Sequence, residues 1–249
     1  MNIPEVHHIH CPEITSTNGY AREVTPNEKI TLITTDYQIA GRGQRGNSWE
    51  SEDGKNLLFS LVLPTSEIPA ANQFILCELI SVALCDVLGK YASDVRIKWP
   101  NDIYHKDKKL CGILIEHDIE GEYLSRSIIG VGLNINQEEF TSDAPNPTSL
   151  FQILGHEINR EALLRDLTKH FLALHKQFIT SPASTDSREE LYKRYLELLY
   201  RKDTPSLYSD SQGAFIATLR TVKHDGRLIL EDQWGNLRSY LFKEVHYII

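Results

Sequence analysis

The chain has 249 residues, 41% of them hydrophobic and 24% charged, and its formal net charge at pH 7 is −8. This composition is typical of a globular protein with one large core and a smaller second one. An acidic chain is poorly suited to coating nucleic acid or an anionic membrane, so we expect no nucleic-acid partner and no membrane partner. No apolar run reaches the roughly 20 residues that span a bilayer, and the first ten residues lack the features of a signal peptide.

The histidines and cysteines give no metal-binding pattern. The cysteines form no C-x-x-C pair, which argues against a zinc cage or a redox dithiol and favours reduced thiols in a cytoplasmic protein. His7, His8 and His10 resemble a metal-binding tract, but His8 and His10 share a strand face with no carboxylate partner in evidence, and metal sites need three or four convergent groups. We therefore predict no metal site built from side-chain clusters. The cysteines are Cys11, Cys77, Cys85 and Cys111.

The first two thirds of the chain mix strands and helices. Residues 110–119 and 127–136 are predicted to form antiparallel strands joined by the turn 120–123. A charged turn is expected within 101–109. Further strands are predicted at 6–10, 29–38, 57–64 and 95–100. Helices are predicted at 15–24, 70–91 (with Gly89 near its end), about 160–180 and 188–201.

After residues 201–206 the pattern changes to short alternating strands separated by glycine-containing turns. Four or five such strands in so short a segment predict a small barrel. We therefore predict an α+β fold. Residues 1–203 are expected to form a mixed, largely antiparallel sheet flanked by helices, and residues 204–249 a small C-terminal β-barrel.

The stretch GRGQRG, residues 41–46, has the G-x-G-x-x-G spacing of a dinucleotide site. Such a site needs a helix that starts at the third glycine, but Gly46 leads into further loop residues. A nicotinamide or flavin site is therefore disfavoured. Arg42 and Arg45 lie among glycines in a long loop, and guanidinium groups match phosphate and carboxylate oxygens. This loop is predicted to be a lid over an anionic ligand.

Other polar segments each have a structural alternative. Ser16 and Thr17 could cap a helix, and the Asn101–Asp102 pair follows Pro100 as in a turn. Gly130 and Gly132 indicate the close approach of another strand or of a ligand.

The charged strand residues are also ambiguous. Lys109 begins an apolar strand and is expected to face whatever that strand borders, whereas Lys98 faces either a polar cavity or a solvated sheet edge. Cys111 has no base near it in sequence that would activate it as a nucleophile. Nothing local assigns Glu116 to acid–base chemistry.

Six short motifs, in this order, resemble the biotin–protein ligase family. They are STN (16–18), Q..GRG..G..W (38–49), KWPND (98–102), KKLCGIL (108–114), GVGLNIN (130–136) and TSL (148–150). Only 15 residues precede STN, so the resemblance is to the monofunctional type without an N-terminal DNA-binding domain. Gln44 stands where many members have arginine, and Lys243 stands where glycine is usual.

The resemblance implies an ATP-dependent ligase. Such an enzyme forms biotinyl-5′-adenylate from biotin and ATP with Mg²⁺, and transfers biotin to a lysine of a biotin carboxyl carrier protein or domain. A monomer or homodimer is expected. Two alternatives remain open: a lipoate or octanoate ligase of the same fold, and a non-catalytic biotin-binding module.

The resemblance also assigns roles to residues. Catalytic roles fall to Lys109, Arg42 and Asp102. Magnesium is expected to bind through the ATP phosphates, near Asn101 and Asn134. The biotin-binding set is Ser16, Thr17, Asn18, Gln38, Gly41, Arg42, Lys109, Gly112 and Gly130. The ATP- or adenylate-binding set is Gln44, Arg45, Trp49, Lys98, Asn101, Gly132 and Asn134.

Overall fold

The structure, a computed structural model, describes residues 6–25, 29–142, 145–180 and 185–249. Its main feature is a sheet of seven strands: β1 (Val6–Ile14), β2 (Ile30–Gln38), β3 (Leu57–Pro64), β4 (Val95–Lys98), β5 (Asp102–His105), β6 (Lys108–Glu120) and β7 (Tyr123–Leu133). Their order is β1-β2-β3-β7-β6-β5-β4. β1 and β2 are parallel, and all other neighbours are antiparallel. The predicted mixed, largely antiparallel sheet is confirmed.

Helices cover both faces of this sheet because successive strand residues point to opposite sides. Leu32 packs in the large core, whereas Ile33 packs with Ala21 of α1 on the other face. The helices are α1 (Thr17–Glu23), α2 (Phe74–Leu88), α3 (Leu150–Leu154), α4 (Arg160–His175) and α5 (Thr185–Glu197). The face that carries α1 also carries the pocket described below.

The predicted helices are all present, with shifted ends. Ser16 caps α1 through its side chain, and Gly89 follows the last residue of α2. The first residues of the predicted 70–91 helix form a separate 3₁₀ turn. By length and composition Ala70–Leu88 could cross a membrane, but 67% of this stretch is buried inside the fold. A charged turn does occur within 101–109, but β5 precedes it and forms a hairpin with β6.

The C-terminal strands form an open sheet and not the predicted barrel. These strands are β8 (Pro205–Asp210), β9 (Gly213–Val222), β10 (Leu228–Asp232), β11 (Leu237–Tyr240) and β12 (His246–Tyr247). Their order is β11-β10-β9-β8-β12, which leaves β11 and β12 as unjoined edges. Buried side chains of this sheet continue the main core, and the boundary at residues 203/204 stays a prediction.

Candidate active site

A pocket opens on the α1 face of the large sheet, between α1, β6, β7 and the loop that follows β2. Its empty space, including the part that is open to solvent, is about 470 Å³. Most of the predicted site residues converge here although they come from distant parts of the chain. They are Ser16, Thr17, Asn18, Gln38, Arg42, Gln44, Trp49, Asn101, Asp102, Lys109, Gly112, Gly130 and Gly132.

The start of α1 forms one wall of the pocket. The Ser16 hydroxyl accepts a hydrogen bond from the Gly19 amide at 3.4 Å, so this residue both caps the helix and lines the pocket. The Gln38 Oε1 atom accepts hydrogen bonds from the Thr17 backbone amide at 2.8 Å and from its hydroxyl at 3.2 Å. These contacts fix the side chains of Thr17 and Gln38 relative to each other.

Gly130 makes room for the side chain of Asn18. A Cβ atom at position 130 would lie 2.2 Å from Asn18 Oδ1. That oxygen accepts a hydrogen bond from the Ser60 hydroxyl at 2.6 Å, and Asn18 Nδ2 donates to the Leu114 carbonyl at 3.2 Å. The close approach predicted at Gly130 is therefore made by a side chain of the protein itself.

Gly112 and Gly132 form a flat shelf on which Trp49 rests. The two glycines are register partners on β6 and β7. A Cβ atom on them would come within 2.7 Å and 2.4 Å of the indole ring. The Trp49 backbone amide donates to the Gly41 carbonyl at 2.9 Å, and the Lys109 Nζ atom lies 5.5 Å from the ring centroid. Among the described residues, the buried Trp49 Nε1 has no hydrogen-bond partner.

Lys109 and Asp102 form an ion pair in the pocket. Their Nζ and Oδ1 atoms are 2.8 Å apart, with the lysine side chain 27% and the aspartate 18% exposed. Asn101 fixes the neighbouring backbone, because its carbonyl accepts a hydrogen bond from the Ile113 amide at 2.9 Å and its side chain donates to the Ile113 carbonyl. The site thus holds a cation on a rigid strand pair.

The loop after β2 brings a second cation. The backbones of Arg42 and Ser48 pair in an isolated antiparallel β-bridge. The Nη2 atom of Arg42 lies 3.6 Å from Glu116 Oε2. Residues Gln44–Gly46 form a single 3₁₀ turn that is followed by extended backbone at Asn47. This agrees with the argument against a dinucleotide site. The Gln44 Oε1 atom is buried and has no partner among the described residues; the Arg45 side chain lies outside the described parts of the chain.

Three predicted site residues lie outside the lining of this pocket. Lys98 Nζ lies 5.0 Å and 4.9 Å from the ring centroids of Tyr104 and Tyr247, and burial lowers its pKa. Asn134 is buried and donates to the Thr148 carbonyl at 3.0 Å, so it supports a loop. Gly41 is packed beneath Trp49, whose carbonyl oxygen would lie 2.7 Å from a Cβ atom there.

Comparisons with known proteins identify relatives of this chain. Residues 11–134 match the model of the biotin/lipoate A/B protein ligase family. The biotin–[acetyl-CoA-carboxylase] ligase of Paracoccus denitrificans is 32% identical over 174 residues, which cover 66% of this chain and 71% of that protein. This chain belongs to the biotin/lipoate A/B protein ligase family.

Two further matches extend along nearly the whole chain of this family member. The bifunctional ligase/repressor BirA of Bacillus spizizenii is 29% identical over 247 residues, which cover 94% of this chain and 72% of that protein. Matches to other proteins of that name span only about half of their length. The structure of the biotin protein ligase from Aquifex aeolicus in complex with biotin and ATP has a TM-score of 0.79 at 24% identity. The match covers 97% of this chain and 99% of the Aquifex chain, and the two share the same fold.

The other candidates from the sequence have structural roles in this ligase-family chain. His8 and His10 both contact the Thr34 hydroxyl, at 2.9 Å and 3.0 Å. His10 Nε2 also lies 3.3 Å from Asp36. Within the described ranges no cluster of three metal-ligating side chains occurs. Cys111 is fully buried, and burial raises the pKa of its thiol well above the usual range, as expected for a core thiol.

Sequence reasoning missed Glu116 and Ser60, which hold Asn18 in place. Glu116 Oε2 accepts a hydrogen bond from Asn18 Nδ2 at 2.9 Å. Glu116 lies two residues beyond Leu114 and four beyond Gly112, so the period of two along β6 places it on the pocket face. That alternation was the signal that could have identified Glu116.

Proposed function

We propose that the chain is a biotin–protein ligase. It forms biotinyl-5′-adenylate from biotin and ATP and then transfers biotin to a lysine of a biotin carboxyl carrier protein or domain. The observation that carries this proposal is the convergence of Lys109 and Arg42 on one pocket of an acidic chain, beside the glycine shelf that Trp49 covers. The biotin–[acetyl-CoA-carboxylase] ligase of Paracoccus denitrificans and the Aquifex structure with biotin and ATP support the same chemistry.

Lys109 and Arg42 lower the main barrier to adenylate formation, the first step of the reaction. Joining a carboxylate to a phosphate brings two anions together, and fixed positive charges stabilise that arrangement where water is excluded. Lys109 supplies one such charge from β6, and Asp102 holds its ammonium group in place. Arg42 supplies the other from the loop. Ser16, Thr17 and Gln38 offer the hydroxyl and amide groups that a ureido ring requires.

The pocket fits a magnesium ion that is carried by the phosphates of ATP. Among the described residues lining the pocket, Asp102 carries the only carboxylate, and Lys109 already neutralises it. Magnesium is usually held by one or two carboxylates together with substrate phosphates. Asn101 and Asp102 would lie nearest the ion, whereas Asn134 is engaged with Thr148. When bound, the ion would neutralise phosphate charge.

The remaining parts of the proposal concern partners and location. The carrier is the expected protein partner, and no nucleic acid or membrane is expected to bind. The four cysteines are free thiols, which supports a cytoplasmic location. A monomer or a homodimer is compatible with all of these features.

The proposal is tested by pyrophosphate release. The purified chain is incubated with ATP and magnesium, and with biotin, lipoate, octanoate or no acid. Pyrophosphate that depends on biotin is expected, with little or none from the other acids. Release with lipoate or octanoate in preference to biotin would favour a lipoate-type ligase, and tight biotin binding without pyrophosphate release would favour a non-catalytic biotin-binding module.

A further inference from the structure

Glu116 joins α1, β6 and the loop that carries Arg42. Its Oε1 atom lies 2.5 Å from the Nη2 atom of Arg22. Its Oε2 atom accepts a hydrogen bond from Asn18 Nδ2 at 2.9 Å and lies 3.6 Å from Arg42 Nη2. The Glu116 side chain is 20% exposed, so these contacts form in a partly desolvated place at the edge of the pocket.

These contacts give Asn18 a single orientation. An ionised carboxylate only accepts hydrogen bonds, so Glu116 must face the amide nitrogen of Asn18. The Ser60 hydroxyl donates to the amide oxygen at 2.6 Å. With both ends of the amide committed, Glu116 fixes a buried part of the pocket wall.

Arg42 is held more loosely than the other partners of Glu116. Its distance to the carboxylate is longer than that of Arg22, and its side chain is 44% exposed. A guanidinium group has five N–H donors, so Arg42 can keep one nitrogen on Glu116 and direct the others into the pocket that it lines.

We propose that Glu116 is a positioning residue of the ligase reaction. It holds the guanidinium of Arg42 at the pocket, so that this group is in place when the acyl phosphate forms. The inference rests on the proposed function, because it assigns Arg42 to the phosphate of the adenylate. Glu116 itself touches no reacting atom.

The sign of the effect separates positioning from simple charge repulsion. A carboxylate near an anionic ligand repels it, so loss of that charge alone would slow the departure of the adenylate. Loss of a positioning contact would instead let Arg42 move away and speed the departure. The substitution Glu116→Gln removes the charge and keeps the size and one acceptor oxygen.

The test measures the dissociation rate of preformed biotinyl-adenylate. Glu116→Gln is expected to raise this rate roughly threefold, the size expected for the loss of a partly exposed ion pair. In an Arg42→Ala background the same substitution is expected to have little further effect, because two residues that act through one contact are not additive. Slower or unchanged dissociation in Glu116→Gln would overturn the proposal, as would an undiminished effect in the Arg42→Ala background.

Two control variants isolate this contact. Asp118→Asn removes a carboxylate from the same strand that pairs with Arg126 at 2.6 Å, and it should leave the rate unchanged. Arg22→Gln removes the strongest partner of Glu116 on α1; an effect equal to that of Glu116→Gln would assign the role to helix anchoring and overturn the proposal. If the unaltered chain makes no adenylate, the proposed function fails as well. If it makes and retains adenylate but Glu116→Gln behaves identically, only the positioning role fails.

Discussion

The indole ring of Trp49 lies against the backbone of Gly132, where a Cβ atom would come within 2.4 Å of the ring. Gly112, the register partner of Gly132, leaves the same space on β6. The absence of a side chain at Gly112 and Gly132 therefore allows the loop after β2 to pack against the sheet. Since that loop also carries Arg42, the shelf links loop closure to the placement of a cation.

Gly132→Ala should prevent the Trp49 ring from packing against β7. The added methyl group overlaps the indole, so the loop must lift, and a small misplacement of reacting groups is expected to slow adenylation roughly 100-fold. The thermal midpoint should change by less than about 4 °C, since a loop can move without unfolding the sheet. Gly19→Ala is the control, because its Cβ would meet its nearest neighbour at an ordinary 3.7 Å. Normal pyrophosphate release by Gly132→Ala would show that the shelf is dispensable.

Lys109→Gln should slow adenylation by about 100-fold or more, the size of effect seen when one charge-stabilising group is lost. Folding should change little, because the Lys109 side chain is partly exposed. Lys98→Gln is the comparison: Lys98 lies between two tyrosine rings and should affect stability more than rate. Near-normal turnover in Lys109→Gln with none in folded Lys98→Gln would mean that the roles of the two lysines are reversed.

Gln44→Arg should strengthen retention of the adenylate. Gln44 lines the pocket and its side-chain oxygen is buried there, which places a neutral amide where many relatives have a guanidinium group. A charged donor would slow the dissociation of preformed adenylate roughly tenfold. Transfer to the carrier should slow in parallel. The competing explanation, that Arg45 holds the phosphate, predicts unchanged dissociation in Gln44→Arg and fast loss in Arg45→Ala.

Glu78 should make the protein less stable as pH rises. Burial on α2, with a smaller effect of Glu189, raises the pKa of this carboxyl group from 4.5 to about 8. The protonated group is favoured in the folded state, so its contribution is complete below the unfolded pKa and is lost as pH rises from about 4.5 to 8.

Glu78→Gln keeps the shape of the group and cannot ionise, so it should remove this pH dependence. The gain in the free energy of unfolding at pH 7 should be roughly 3 kcal/mol. Urea unfolding at several pH values between 4.5 and 8 would measure it. Glu190→Gln, an exposed position on α5, is the matched control. A parallel pH profile for Glu78→Gln and the unaltered chain would contradict the assignment.

Local patterns predicted the elements and much of the pocket. The period of two in residues 110–119 and 127–136 predicted the β6–β7 pair, and the register of that pair sets Gly112 beside Gly132. The resemblance to the ligase family assigned Lys109, Asp102 and Arg42 to one site. Lys109 and Asp102 meet because β5 and β6 form a hairpin, whereas Arg42 comes from a distant loop that no local pattern places beside them.

Other features depend on contacts that are distant in sequence. Asn18 fills the space at Gly130, and Trp49 fills the space at Gly132. Two glycines on one strand thus accommodate two different side chains. The resemblance assigns Asn134 to the adenylate-binding set, but its amide nitrogen donates to a loop carbonyl. The alternating pattern that predicted the C-terminal strands does not determine whether the first and last strands of the sheet pair with each other, and here β11 and β12 remain its two edges.

The central claim is tested most directly by mass spectrometry of a carrier domain. The purified chain is mixed with a biotin carboxyl carrier domain that lacks biotin, together with ATP, magnesium and an equal mixture of biotin and lipoate. The proposed function predicts a mass increase of one biotinyl group on a single carrier lysine, and an increase about 100-fold slower when the chain carries Lys109→Gln. A lipoyl adduct, or an unmodified carrier in the presence of all substrates, would contradict it.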